Sequence, residues 1–189
     1  MEAIRIKWLD DAIWEYEATL AQCTALTAFR RMAFNAFDHP VPIRKPILVA
    51  TAPCEQHLLQ TAMASEALAE VGFDATCDHP ETVEQLEELV RGICPSVVVL
   101  CLSGLFRRDE RVQELESTVV RARRASEGGP LSFAVLGRSF SDDAAGPGIK
   151  GAECTCRSTH GLLRRVCAMD HAANRPKRVL PNSSTLFNS

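Results

Sequence analysis

At 189 residues the chain has room for one domain with a small appendage, and 46% apolar with 24% charged residues is the composition of a globular protein. A net charge of -3 gives no general attraction to nucleic acid or to an anionic membrane, and no run of about 18 apolar residues exists to span a bilayer. The charged residues 1–11 do not read as a secretory signal, and the eight cysteines read as reduced thiols rather than a disulfide framework, so a cytoplasmic protein is expected.

Residues 1–37 are expected to form a helical segment. Trp8, Leu9, Ile13, Tyr16 and Leu20 recur at helical spacing over residues 4–37, and Ala25, Phe29, Met32, Ala33 and Phe37 continue the pattern. The segment is too short to be a domain, so its apolar face must pack on the main domain or on a partner. Asp38-His39-Pro40-Val41-Pro42 stops it, and residues 38–46 read as a linker.

From residue 47 strands and helices alternate. Residues 47–50 predict a strand. Residues 58–71 predict a helix with Leu59, Met63, Leu68 and Val71 on its apolar side and Gly72 as its stop. A short strand is expected at 73–77, then a helix carrying Val83, Leu86, Leu89 and Val90. The unbroken apolar run 97–102 predicts a central strand buried on both faces. A charged amphipathic helix at 107–124 ends at Gly128-Gly129-Pro130. A strand at 131–136, a polar loop at 141–148, a short strand at 151–156 and a helix at 159–168 complete the pattern. Five strands alternating with helices give a doubly wound, parallel, Rossmann-like α/β domain over residues 47–173. Residues 174–189, rich in Pro, Asn and Ser, read as a disordered tail.

Three breaks at strand ends carry the functional signal. Glu55-Gln56-His57 follows the first strand, Ser103-Gly104-Leu105 follows the third, and Gly137-Arg138 follows the fourth. In an open parallel sheet these ends meet on one rim, where ligands bind. An imidazole at that rim can reach a metal, and a carboxylate two residues earlier can hold its other ring nitrogen. The plainer alternative for His57 is a surface histidine near a helix start.

Other features weigh less. Cys156 and His160, and Cys167 and His171, are spaced four apart, but the two pairs lie too far apart on one straight helix for a single zinc ion. Cys54 beside Glu55 reads as a plain rim cysteine. The arginines of 107–124 are interleaved with acids, as on a solvated helix face. No P-loop or Gly-x-Gly-x-x-Gly stretch occurs.

The stretch from Pro53 to Gly137 resembles the cobalamin-binding domain of corrinoid methyltransferases, mutases and light-sensing regulators. That family carries Asp/Glu-x-His-x-x-Gly, then Ser-x-Leu, then Gly-Gly. This chain has Glu55-Gln56-His57-Leu58-Leu59-Gln60, then Ser103-Gly104-Leu105, then Gly137-Arg138, followed by Gly151-Ala152-Glu153 in place of Gly-Ala-Asp. The likeness extends over residues 46–170. It implies His57 as the lower axial ligand of cobalt, Glu55 as its hydrogen-bond partner, Ser103 bonded to the displaced base, Leu105 packed beside that base, and Gly137 letting the backbone approach the nucleotide tail. Gln60 and Arg138 replace two glycines of the pattern, which bears on how a tail would enter.

The layout, with a helical leader of about two helices and no catalytic domain, is similar to stand-alone regulators of phototrophic bacteria. The resemblance therefore implies a non-enzymatic cobalamin-binding protein that senses light or redox state and acts on a transcription regulator, without touching nucleic acid or membrane itself. A heme-binding sensor on the same fold, a corrinoid methyl carrier and a ligand-free interaction module are the alternatives.

Overall fold

The apolar runs become strands because each is flanked by a residue that stops one element and starts the next. The computed structural model describes residues 12, 14–36, 44–55, 58–102, 108–127, 129–140 and 148–173. In chain order these form α1 (Glu15–Ala36), β1 (Pro46–Thr51), α2 (Leu58–Glu70), β2 (Asp74–Asp78), α3 (Val83–Ile93), β3 (Val97–Leu102), α4 (Arg108–Arg124), β4 (Ser132–Gly137), β5 (Cys154–Cys156) and α5 (Thr159–Ala173). Gly72, with φ 91°, ends α2 and turns Phe73 inward, its N–H donating to the Leu68 carbonyl. The Thr82 hydroxyl accepts from the Gln85 N–H and opens α3, and Cys94 closes it in the left-handed region. Glu17 reaches back to the Trp14 N–H at 2.8 Å and opens α1.

The strands form one parallel sheet in the order β2-β1-β3-β4-β5. All six residues of β3 are buried, as its unbroken apolar run predicts. Alternation sends Leu48, Ala50, Val98, Leu100, Phe133 and Val135 to one face, where Leu86 and Val90 of α3 and Leu115 and Val119 of α4 cover them. Ile47, Val49, Val99, Cys101, Ala134 and Leu136 face the other way, under Ala64 and Leu68 of α2 and Leu162 and Val166 of α5. This is the five-stranded doubly wound α/β fold expected from the sequence.

Three details differ from the sequence reading. β5 spans only three residues, because Gly151 (φ 89°) still belongs to a turn and the Glu153 side chain stands in for a ladder partner. The Glu153 carboxylate accepts from the Phe133 N–H, its own N–H donates to the Phe133 carbonyl at 2.9 Å, and Arg123 grips both its oxygens at 2.8 and 3.0 Å. Second, α5 runs to Ala173 rather than stopping at residue 168, held by half-buried Met169 and by Asp170, 3.9 Å from Arg44. Third, Cys156 lies on β5 and not on a helix with His160, so that pair shares no helix face. All eight cysteines are free, and the described residues contain no cluster of three or more metal-ligating side chains.

In the leader, Tyr16 and Leu20 are 67% and 64% exposed and Trp14 is 73% exposed, so of the two expected resting places for this face the domain does not cover these side chains. α1 meets α2 through the later part of the expected pattern, with Ala33 buried and Ala25 and Phe29 half-buried, together with half-buried Leu26. Trp8, Ile13 and the start of the expected segment lie outside the described residues, as do residue 37, most of the linker and residues 174–189. No described helix is long and apolar enough to cross a membrane.

Candidate functional site

In this strand order the chain leaves β1 toward one side of the sheet and β3 toward the other. The carboxyl ends of β1 and β3 therefore flank the switch point, where open α/β sheets bind ligands. Beyond Thr51 the backbone makes a tight turn. The Ala52 N–H donates to the Cys101 carbonyl and the Glu55 N–H to the Ala52 carbonyl, each at 3.0 Å, and Cys54 takes a left-handed φ of 64°. The turn lifts half-buried Glu55 onto the carboxyl edge, three residues before α2 begins.

Gly137, the last residue of β4, pairs in register with Leu102, the last of β3. A Cβ built on Gly137 would lie 3.2 Å from the Phe140 ring and 3.3 Å from both the Cβ and the carbonyl oxygen of Leu102. A side chain here would crowd the chain's own packing. Arg138 follows it and is exposed, and Gln60 sits half-buried in the first turn of α2. Glu55, Gly137 and Arg138 thus share the carboxyl edge. His57, Ser103 and Leu105 lie outside the described residues; in the chain, His57 immediately precedes α2 and Ser103 immediately follows β3.

The two faces beneath this edge differ. On the α3/α4 side a cleft of about 620 Å³ opens at the switch point, a size common for small-molecule sites. Ala52, Leu102 and Leu115 give it an apolar floor, and Arg111, Glu114 and Ser117 stand at its mouth. Arg111 is paired with Glu114 at 2.9 Å. Arg121 closes the α3 side of the cleft, bonded to Glu84 and Glu87 at 2.8 Å each. On the α2/α5 side, Thr61, Leu136, Cys156 and Leu162 are fully buried and Cys101 is 1% exposed, so no water-sized void adjoins them. The Thr61 hydroxyl, one helical turn past His57, faces the Cys101 thiol and makes no hydrogen bond of ordinary geometry. Burial pushes the Cys101 thiol up to about 12 and the Cys77 thiol up to about 11, so both stay protonated near neutrality.

Sequence reasoning passed over His79. It follows β2 directly, and both its ring nitrogens are buried without a hydrogen-bond partner. Burial lowers its pKa below the usual histidine value, against the opposing pull of Asp78, and Arg30 of α1 lowers it further. The signal available in sequence was a histidine at a strand's carboxyl end, the same rule that singled out His57.

No protein-family model matches the sequence, and no curated protein does. Among solved structures, the chain is similar to a novel cobalamin-binding protein from Desulfitobacterium hafniense DCB-2, with 15% identity and a TM-score of 0.52 over 88% of this chain and 75% of that one. It also aligns with the methanol:cobalamin methyltransferase complex MtaBC from Methanosarcina barkeri, at 10% identity and a TM-score of 0.49, over 88% of this chain and 62% of that chain. The first likeness establishes the class of fold: a five-stranded parallel sheet with flanking helices, as in a cobalamin-binding protein.

Proposed function

We propose that the chain binds a corrinoid on the carboxyl edge of its sheet and acts, without catalysis of its own, as a sensor that signals to a transcription regulator. One observation carries the reading: the switch point, an open cleft and the Ala52–Glu55 turn, which His57 follows in the chain, coincide at the ends of β1 and β3. His57 would hold the metal from below, and Glu55, already half-buried at the edge, would fix its tautomer. Ser103 and Leu105, leaving the end of β3, would meet the displaced base. Bound there, the corrinoid would supply a cobalt centre whose upper ligand depends on light or redox state. The exposed Trp14, just before α1, and Tyr16 and Leu20 of α1 offer a partner the aromatic, apolar anchors that dominate protein–protein contacts.

Titration of the purified chain with hydroxocobalamin, followed in the visible spectrum, tests the ligand. Saturable binding is expected, with a band shift that His57→Ala removes. Absence of any spectral change at high micromolar corrinoid would overturn the reading, and saturable binding of hemin in its place would reassign the ligand. Hydrogen exchange of α1 in dark and illuminated, or oxidised and reduced, holoprotein tests the signal: equal protection in every state would leave a static carrier.

A further inference from the structure

We infer that the buried Cys154 and Cys156 thiols of β5 hold a monovalent copper ion at the edge of the sheet. The two residues flank Thr155 on one strand, so both side chains point to the α5 face, and their sulfurs lie 4.0 Å apart. Register with Ala134 and Leu136 of β4 fixes both backbones, and Leu162 and Val166 of α5 lie in the same buried layer. The pair serves no part of the corrinoid reading above.

A disulfide does not suit this geometry. Two residues apart on a strand, the Cα atoms stand about 6.6–6.8 Å from each other, at the outer limit of what a disulfide spans. The sulfurs, at 4.0 Å, are about twice the bonding distance apart. A shared metal ion fits better. With metal–thiolate bonds of about 2.3 Å it asks for little movement of either sulfur, and it takes the place of the thiol hydrogens rather than of a void.

The donor count selects the metal. Cys101 lies on β3, with β4 between, about 10 Å from β5. Among the described residues no group of three metal-ligating side chains forms, so the pair stands as two donors. Zinc and iron–sulfur clusters take four ligands. Soft thiolates also select Cu(I), a closed-shell ion that two of them satisfy. Binding transfers no electrons: two S–H bonds break, two Cu–S bonds form, and two protons leave to solvent. The product carries one negative charge in an apolar layer. Half-buried Arg165 of α5 supplies the compensating cation: the Cys156 thiol and then burial push the Cys154 pKa up, and the Arg165 charge draws it back. Cys154, 9% exposed on the outermost strand, gives the ion its way in.

The test titrates the reduced full chain, without oxygen, against Cu(I) held by a coloured chelator whose absorbance reports copper passed to the protein. The exposed Cys23, Cys54 and Cys94 would also collect copper, so the titrated chain carries Cys23→Ser, Cys54→Ser and Cys94→Ser. It should take up a single copper ion. Outer partners of metal ligands are worth about 10–100-fold in affinity, so Cys154→Ala and Cys156→Ala should each weaken binding by more than about a hundredfold, and Arg165→Ala by about tenfold. Circular dichroism verifies that these variants are folded. X-ray absorption of the copper-loaded triple-serine chain gives a readout independent of them and should show copper bound by two sulfurs. Failure to take copper from the chelator overturns the assignment. So does unchanged affinity in a folded Cys154→Ala chain, or copper held by a single sulfur with nitrogen or oxygen.

Discussion

Glu153→Ala should cost the domain about 2–4 kcal/mol of unfolding free energy, and the reasons are local. The carboxylate completes the β4 ladder one residue before β5 begins, accepting from the N–H of fully buried Phe133. Hydrogen bonds to charged groups contribute about 1.5–3 kcal/mol, and removing this one strands a buried donor. The pair with Arg123 adds less, about 0.2–1 kcal/mol, because the two side chains are 40% and 38% exposed. Glu153→Gln keeps an acceptor for Phe133 and should cost only about 1 kcal/mol. Arg123→Ala leaves the ladder bond intact. It loses the surface pair, a 2.6 Å bond to the Gly151 carbonyl and its stacking on the Phe133 ring, and should cost about 1 kcal/mol or a little more. Urea unfolding with an unchanged slope measures all three. A cost below about 0.5 kcal/mol for Glu153→Ala, or one equal to that of Arg123→Ala, would show that the ladder bond does not hold this edge.

Gly137→Ala should destabilise by about 1–2 kcal/mol through contact with Phe140 and Leu102, and Phe140→Leu should relieve part of that loss in a double-mutant cycle. Iodoacetamide at pH 8 should label exposed Cys23, Cys54 and Cys94 quickly and spare Cys77, Cys101, Cys154 and Cys156 until urea is added, as peptide mass spectrometry would reveal. His79 resists protonation when folded, so as pH falls below its unfolded value of about 6.5 the unfolded chain gains a proton that the native one lacks. Stability should decline over that range until the depressed native value is reached, and a His79→Asn chain should lose this component of the slope. Tyr16→Ser and Leu20→Ser should change stability by less than about 0.5 kcal/mol, since both side chains already face solvent; a larger drop would mean that α1 packs more tightly on its surroundings.

The sheet was legible because its strands are separated by strong stops. Gly72 and the Gly128-Gly129-Pro130 break set their boundaries within a residue or two. β5 was overdrawn because Glu153 satisfies a ladder bond with its side chain, which no pattern of apolar residues records. α5 was cut short because its last turns are held by Arg44, two residues before β1, a contact across more than 120 residues. The leader was legible in part: Ala25, Phe29 and Ala33 of the expected pattern are buried or half-buried where α1 meets α2, while Tyr16, Leu20 and Met32 of the same pattern face solvent. At the rim, strand-end logic placed Glu55 and Gly137 on one edge. It missed that Phe140 folds back to claim the space over Gly137, and that His79 stands at the end of the neighbouring strand.

The seating of α1 on α2 makes the pair a lever. α2 begins one residue after His57, and its 13 residues span about 20 Å; the 22 residues of α1 span about 33 Å. Were α2 to pivot by about 5° with α1 rigidly attached, the far end of α1 would sweep about 3 Å, enough to change which side chains a partner meets. A sub-ångström adjustment at the rim would thus arrive enlarged at the exposed Trp14 and Tyr16, with distance itself serving as the amplifier.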